Sequence, residues 1–447
     1  MILRSVSHMW YNPGIPAIGP STTVFWFRRD FRLEDNRGLL RALQERGDVL
    51  PIFIFDTNIL DRLEDKDDAR VTFIHQSLLH LHELLRQAGS SLLVLHGDPV
   101  TIFRSLAPGA VYCNHDQEPY GIGRDRQVAA ELAERGIHFH SFKDVVVLER
   151  AEVMKDDGTP YTVYTPYSRK WLATLKESDL NAEPSEKHLD RLMKCAPIPL
   201  PALEDLGFRA TTVPLPERRI PLQVIRLYDR QRDIPGISGT SRLGIHLRFG
   251  TVSIRRLVSL ARQENKTWLN ELIWREFYQM ILWHFPHVSE RAFKPAYDRI
   301  KWLNADEDIR RWSEGKTGYP MVDAGMRELS ATGFMHNRAR MVVASFLTKH
   351  LLVDWRIGEA WFARKLLDFE LASNNGGWQW AAGCGCDAAP YFRVFNPQLQ
   401  LEKFDPDLNY VKKWVPEYGT ASYVSPMVDH AFARERVLRV FKEALGA

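Results

Sequence analysis

Cysteine is almost absent. Cys113, Cys195, Cys384 and Cys386 are the whole complement of a 447-residue chain. A disulfide-stapled secreted scaffold is thereby excluded, and a reducing compartment fits. Cys384-Gly-Cys386 is not a CxxC pair and no second pair completes a zinc set, so the cysteines read as structural and no metal site is expected. No apolar run approaches the ~18 residues of a membrane span. The N-terminus, MILRSVSHMWYNPGIPAIGP, lacks the basic start and apolar core of a secretory signal. Residues 1–21 read as a poorly ordered extension. No GxGxxG follows the first apolar run, so the dinucleotide fingerprint is missing. Internal repeats and low-complexity tracts are missing too. The net charge is only +3.

Tryptophan, by contrast, is abundant. The chain has 13, and ten fall between Trp268 and Trp414. Charge is uneven as well. Residues 221–447 carry 32 Lys+Arg against 25 Asp+Glu, an excess of seven, which leaves residues 1–220 at −4. A basic, aromatic-rich half points towards nucleic acid, weakly when taken alone.

The first 150 residues alternate two kinds of stretch. TVFWFRRD, VLPIFIFD, SLLVLHGD and AVYCNHD are short apolar runs ending in or near a carboxylate. Helical patterns such as RVTFIHQSLLHLHELLRQAG and GRDRQVAAELAERG lie between them. This alternation predicts βαβ units and a parallel sheet over 22–150. Residues 151–221, proline-rich from about 180, read as an interdomain linker. From Leu222 strand signals vanish and apolar spacing of three and four takes over. An α/β domain followed by an all-helical domain, 222–447, is therefore expected.

Within the second half, NELIWREFYQMILWHF predicts a helix over 270–285 that puts Glu271, Trp274, Arg275 and Tyr278 on one face. That set could be an amphipathic surface or a pocket wall with an acid, an indole and a guanidinium. FMHNRARMVVASFL predicts a second helix, over 334–347, bringing Asn337, Arg338 and Met341 together. Asn pairs with heterocycles and Arg with phosphate or carbonyl, though an ordinary solvated helix start has the same look. GTSRLG, 239–244, is a turn rich in hydroxyl and N–H donors that could cradle phosphate. In NNGGWQWAA, Trp378 and Trp380 would diverge by about 200° on a helix.

The order of these segments carries more than any one of them. FWFRRDFRLEDN, YDRQRDIPGISGTSRLGIHLRFG, ELIWREFYQM, EGKTGYPMVDAGMREL, GFMHNRARM, DWRIGE and NNGGWQWAA followed by DAAPYFRVFNP together resemble the photolyase/cryptochrome flavoprotein family. The resemblance runs over roughly residues 22 to 415. It looks closest to the class I photolyases acting on cyclobutane pyrimidine dimers.

This resemblance implies FAD in the helical domain. Tyr228 and Thr240-Ser241-Arg242-Leu243-Gly244 would contact the cofactor, with Trp268, Arg275, Asn337, Arg340, Asp368, Phe369, Glu370 and Asn374 around it. Two departures stand out: Glu370 where the second acid of a DxD is common, and Gly244 where serine is frequent. Asn374 matches the residue beside the flavin N5. Trp302, Trp355 and Trp378 match the family's electron wire. Glu271, Trp274, Arg275, Tyr278, Asn337, Arg338, Met341, Trp380 and Gln400 would meet DNA, with Trp274 and Trp380 flanking a flipped dimer and Glu271 bonding a thymine. The implied activity is a light-driven carbon–carbon lyase, a deoxyribodipyrimidine photo-lyase. It would act as a monomer on damaged DNA with no membrane partner, in the cytoplasm and beside the nucleoid if the cell is prokaryotic.

Two further expectations follow from the resemblance. Six-four repair relies on pocket histidines in text like HHxxRH; here the segment is His336-Asn337-Arg338-Ala339-Arg340-Met341, so dimers and not six-four products are the expected lesion. Folate-using members place an Asn-Glu pair where this chain reads Pro119-Tyr120-Gly121, so a second, antenna chromophore would be a deazaflavin or another flavin rather than folate. The competing readings are a cryptochrome-like blue-light photosensor and a flavin-free nucleic-acid binder. Cryptochromes often append a long tail, and this chain ends about 50 residues past DAAPYFRVFNP.

Overall fold

The computed structural model describes residues 16–45 and 47–446. Most of the expected extension, residues 1–15, lies outside them. The chain divides into two units. The first comprises the described part of Met1–Val147 with Lys176–Arg218 and Ile245–Ser259; the second comprises Leu148–Leu175, Arg219–Gly244 and Leu260–Ala447.

The first unit is built on five parallel strands, β1 (Thr22–Phe27), β2 (Asp48–Asp56), β3 (Leu93–Gly97), β4 (Ala110–Asn114) and β5 (His138–Phe142), in the order β3-β2-β1-β4-β5. β1 sits at the centre and all six of its residues are buried, the pattern of a strand covered on both faces. Helices α1 (Arg37–Gln44), α2 (Ala69–Gln87), α3 (Pro99–Ser105) and α4 (Pro119–Ala133) lie between the strands in sequence. The carboxylates that close the apolar runs now have a physical reason. Asp98 caps α3, accepting from Thr101 N–H at 2.8 Å, with Pro99 in the first turn. Asp30 accepts from Arg28 N–H and from the Asn114 side chain, tying β1 to β4. The four runs read from sequence all form strands. β5 has no such run: HFHSF is half-polar and less buried, as an edge strand is.

The proline-rich stretch expected as a linker is shared between the two units. Residues 176–218 pack on the first: Met193 N–H donates to Val49 C=O at 2.8 Å and Ile198 N–H to Ser91 at 2.8 Å. Prolines that stop helices need not expose a chain, because side chains and strand edges can take up its N–H groups.

The second unit is helical among its described residues. The helices that bear on the site are α5 (Tyr164–Thr174), α6 (Lys266–His284), α7 (Pro320–Thr332), α8 (Asn337–Ser345), α9 (Trp355–Lys365), α10 (Leu371–Ala382), α11 (Pro397–Phe404) and α12 (His430–Leu445). One π-helical turn, Phe346–His350, follows α8. Asn265 caps α6 by accepting from Thr267 and Trp268 N–H, and Asp354 caps α9. The core joins α7 to α10 through Trp312, Met326, Val343, Phe346, Phe362 and Trp378. Gly358 is required there. A Cβ at that position would stand 2.1 Å from the Trp378 ring.

Candidate active site

A cavity of about 400 Å³ opens in the second unit, within the size range of small-molecule sites. One wall is α6, which presents Glu271, Trp274, Arg275 and Tyr278, the whole face read from its spacing. α8 adds Asn337, Arg340, Met341 and Ala344. α9 and the turn after it add Phe362, Leu366, Asp368, Phe369 and Glu370. α10 adds Ser373, Asn374, Gly377, Trp378 and Trp380, and Arg232 closes the ring.

The inner polar groups are paired in advance. Arg275 donates to Glu370 at 2.8 Å, and Gln279 donates to the same carboxylate oxygen at 3.0 Å. Ser373 donates to the other oxygen at 3.3 Å. Arg340 spans both oxygens of Asp368, at 2.9 and 3.1 Å, and also donates to Met335 C=O at 2.8 Å. Buried charges survive only when paired and hydrogen-bonded. These pairs fix both guanidiniums while keeping the cavity close to neutral. Asn374 donates to Glu359, at 2.7 Å to the carboxylate and 3.1 Å to the backbone carbonyl. Gly244, where serine was the frequent residue, abuts Asp368: a Cβ would stand 2.8 Å from the aspartate Cβ.

The outer wall is acidic and aromatic. Burial pushes the Glu271 carboxyl above the ordinary range, opposed by Arg232, with which it forms a short hydrogen-bonded ion pair. Asn337 and Met341 lie side by side, amide to sulfur at 4.0 Å. Trp380 packs against Phe395, ring centroids 6.4 Å apart. Trp378 turns inward, edge-on to Phe362 at 4.9 Å and Trp312 at 6.1 Å, and its indole N–H is buried without a partner. The two indoles thus diverge on α10, one 2% exposed and the other at the partly open wall, yet both reach the cavity.

Other residues singled out from sequence lie elsewhere. Trp355 is buried in the core around Trp378, and Trp302 packs against that core from a less buried position. Trp268 is buried near the start of α6. Tyr228 carries the Arg232 guanidinium over its ring at 5.5 Å. Thr240, Ser241, Arg242 and Leu243 form a turn that does not line the cavity. Arg242, at φ 53°, sits over Phe334 at 4.4 Å and reaches Glu328 at 4.0 Å. Arg338 is committed to Asp233 at 2.6 Å and stacks on Phe404 at 4.0 Å. Gln400 stands on α11 with its side-chain oxygen buried and unpartnered. Sequence reasoning missed Arg232, Ala344, Phe362, Leu366 and Ser373. Arg232 had a usable signal, the run of charge in YDRQRD beside a tyrosine already chosen.

In the first unit the chain order reverses between β1 and β4, the place where open α/β sheets bind ligands. Trp26 lies there with the guanidiniums of Arg28 and Arg124 against its ring, at 4.8 and 4.9 Å. Arg28 pairs with Asp125, Arg29 with Asp116 at 3.1 Å and Arg248 with Glu118 at 2.8 Å. Burial alone would raise Asp116, but the arginines around it hold it far below the usual carboxylate range.

Two family descriptions match. Residues 23–187 match "DNA photolyase" and residues 268–422 match "FAD binding domain of DNA photolyase". The deoxyribodipyrimidine photo-lyase of Halobacterium salinarum is 37% identical over 95% of this chain and 99% of its own. A class III photolyase from Agrobacterium tumefaciens superposes with a TM-score of 0.84 at 32% identity, covering 97% of this chain and 99% of the other. An archaeal photolyase from Sulfolobus tokodaii, solved with two FAD molecules, gives 0.80 at 34% identity over 94% and 100%. With a full-length relative at this identity and a cavity placed in the matched flavin domain, the chain belongs to the DNA photolyase family.

Proposed function

We propose that the cavity of the helical unit holds FAD and that the protein uses blue light to split cyclobutane pyrimidine dimers in DNA. The observation that carries this reading is the joining, in one cavity, of an inner set of neutralised polar pairs and an outer wall of Trp274, Trp380, Glu271, Asn337 and Met341. The residues present fit a flavin. Apolar walls from Phe362, Leu366 and Phe369 suit a flat ring system, and the partnerless Trp378 N–H and the Asn374 amide supply edge groups. Bound in reduced form, FAD supplies light absorption and the electron that opens the cyclobutane ring.

The chain's own work is to bind, orient and exclude. A lesion reaches the cavity only by leaving the duplex, as in other photolyases, which costs about a few kcal/mol of unstacking, least for a damaged base. Trp274 and Trp380 offer aromatic faces, worth about 1–3 kcal/mol per stacked base. Glu271 offers a carboxyl to a pyrimidine carbonyl or N–H. Burial raises its pKa, and the ion pair with Arg232 opposes that rise. Asn337 supplies a neutral amide, and Met341 packs without a proton to transfer. Trp378, Trp355 and Trp302 form the route by which oxidised cofactor regains an electron. The protein acts as a monomer in the cytoplasm. Any second chromophore in the first unit is a flavin or deazaflavin rather than folate. Denaturing the purified protein should release one FAD per chain, and blue light should restore a dimer-bearing oligonucleotide. A chain that releases flavin but repairs nothing would be the photosensor instead.

A further inference from the structure

Trp274 is braced from behind. Its ring lies face to face with Tyr164, centroids 3.6 Å apart and planes 6° apart. Trp274 lines the cavity, and Tyr164, at the start of α5, does not. Aromatic pairs left to themselves prefer offset or edge-on arrangements with centroids about 4.5–7 Å apart. Full overlap has to be held by other bonds, and two are in place. The Tyr164 hydroxyl donates to Asn270 C=O at 2.9 Å. Asn270 is four residues before Trp274 on α6, so this carbonyl is also the helical acceptor for the Trp274 N–H. The backbone N–H of Tyr164 donates to Asp387 Oδ2 at 3.1 Å. Asp387 lies just beyond α10, the helix that carries Trp380. Phe277 stands edge-on to both rings, at 5.8 Å from Tyr164 and 5.6 Å from Trp274.

We propose that Tyr164 is a positioning residue: it holds the Trp274 wall of the dimer site, and its spacing from the Trp380 wall, before DNA arrives. This role rests on the reading of the cavity as the dimer site. A tryptophan free to rotate would lose its freedom on binding and weaken affinity accordingly. Tyr164 moves that ordering to folding. It lies outside the cavity lining, so its removal should alter affinity and leave the light reaction alone.

The test is affinity for a dimer-bearing duplex oligonucleotide, measured for the FAD-loaded protein with an undamaged duplex as control. Tyr164→Ala should weaken dimer binding about tenfold, with FAD content, undamaged-DNA binding and repair per photon of bound dimer unchanged. Tyr164→Phe keeps the ring and should stay within about threefold of wild type. Tyr164→Leu fills space without a ring and should behave like Tyr164→Ala. In a Trp274→Ala background, Tyr164→Ala should have no further effect, because both act through one contact. Full recovery by Tyr164→Leu, additive losses with Trp274→Ala, or a loss of FAD in step with affinity would overturn the role. Should Tyr164→Ala not fold, the Phe and Leu variants decide alone. A wild-type protein with no preference for dimer DNA would instead defeat the functional reading itself.

Discussion

Glu359 sets which way Asn374 faces. Both hydrogens of the Asn374 amide are spent on it, one at 2.7 Å to the carboxylate and one at 3.1 Å to the backbone carbonyl. A backbone carbonyl can only accept, so the group opposite it must be the NH2 and not the oxygen. Burial raises the Glu359 carboxyl, opposed by the Asn374 bond. The side-chain oxygen of Asn374 is the atom left for a bound ring.

Removing that constraint should be felt by the cofactor. With Glu359→Leu, the amide is free to flip, and reduced FAD in the purified protein should reoxidise in air several-fold faster. Asn374→Ala should do the same, and the double variant no more than either. An effect of Asn374→Ala without one of Glu359→Leu would show that Glu359 does not orient it.

The tryptophan route makes a separable prediction. Trp302→Phe or Trp355→Phe should slow photoreduction of oxidised FAD at least tenfold. Repair by chemically pre-reduced protein should stay near wild type, because the proposed route would only restore the cofactor. Equal loss of both activities would remove these residues from the route.

Packing gives a third. Gly358→Ala places a methyl 2.1 Å from the Trp378 ring and 2.6 Å from Leu347 Cδ2. Overpacking of a filled core costs about 1–3 kcal/mol. The urea midpoint should fall, and photoreduction should slow as Trp378 is displaced. An unchanged midpoint would mean that α9 and α10 can separate at no cost.

Acid should destabilise the helical unit through two buried histidines. Burial pushes His336 down to about 4, with Arg340, Arg338 and Arg242 adding to it and Asp233 opposing. Burial likewise pushes His350 down to about 3, with His430 and Arg436 in the same sense. His336 also caps α8 by accepting from Arg338 N–H at 3.1 Å, a bond its neutral ring makes. The unfolded chain takes up protons near pH 6.5 that the folded chain refuses, so stability falls as pH drops from about 6.5 towards 4 and is insensitive to these groups above 7. Each group contributes about 1.4 kcal/mol per pH unit in that window. His336→Asn keeps a capping side chain and should remove one histidine's share of the acid sensitivity. An unchanged slope between pH 6.5 and 5 would contradict this.

Much of the fold and the α6 wall of the site were legible because they obey short-range rules. Four strands announced themselves as buried runs, and the α6 face came out whole because 3.6-residue periodicity is local. Arg338 shows where that reasoning ends. Its position beside Asn337 left two readings open, a phosphate or carbonyl contact and a solvated helix start, and neither foretold Asp233, 105 residues away in sequence, at its guanidinium. Spacing says which face a side chain takes; only the fold says which acid meets it. Leu366 and Phe362 were missed for a related reason, since leucine and phenylalanine in a core and in a cavity wall look alike in sequence. For 151–221, proline-rich from about 180, composition does not reveal that Val49 and Ser91 receive N–H groups from Met193 and Ile198.

Repair of two defined lesions by one reduced preparation under blue light tests the central claim most directly. Oligonucleotides carrying a single cyclobutane thymine dimer or a single six-four product would be irradiated in parallel, with dark controls. Asn337 and Met341 line the cavity, and the one histidine of that segment, His336, is buried with its Nδ1 committed to capping α8. The expected result is light-dependent restoration of the dimer strand and none of the six-four strand. Efficient restoration of the six-four strand, or no restoration of the dimer strand with FAD intact, would contradict it.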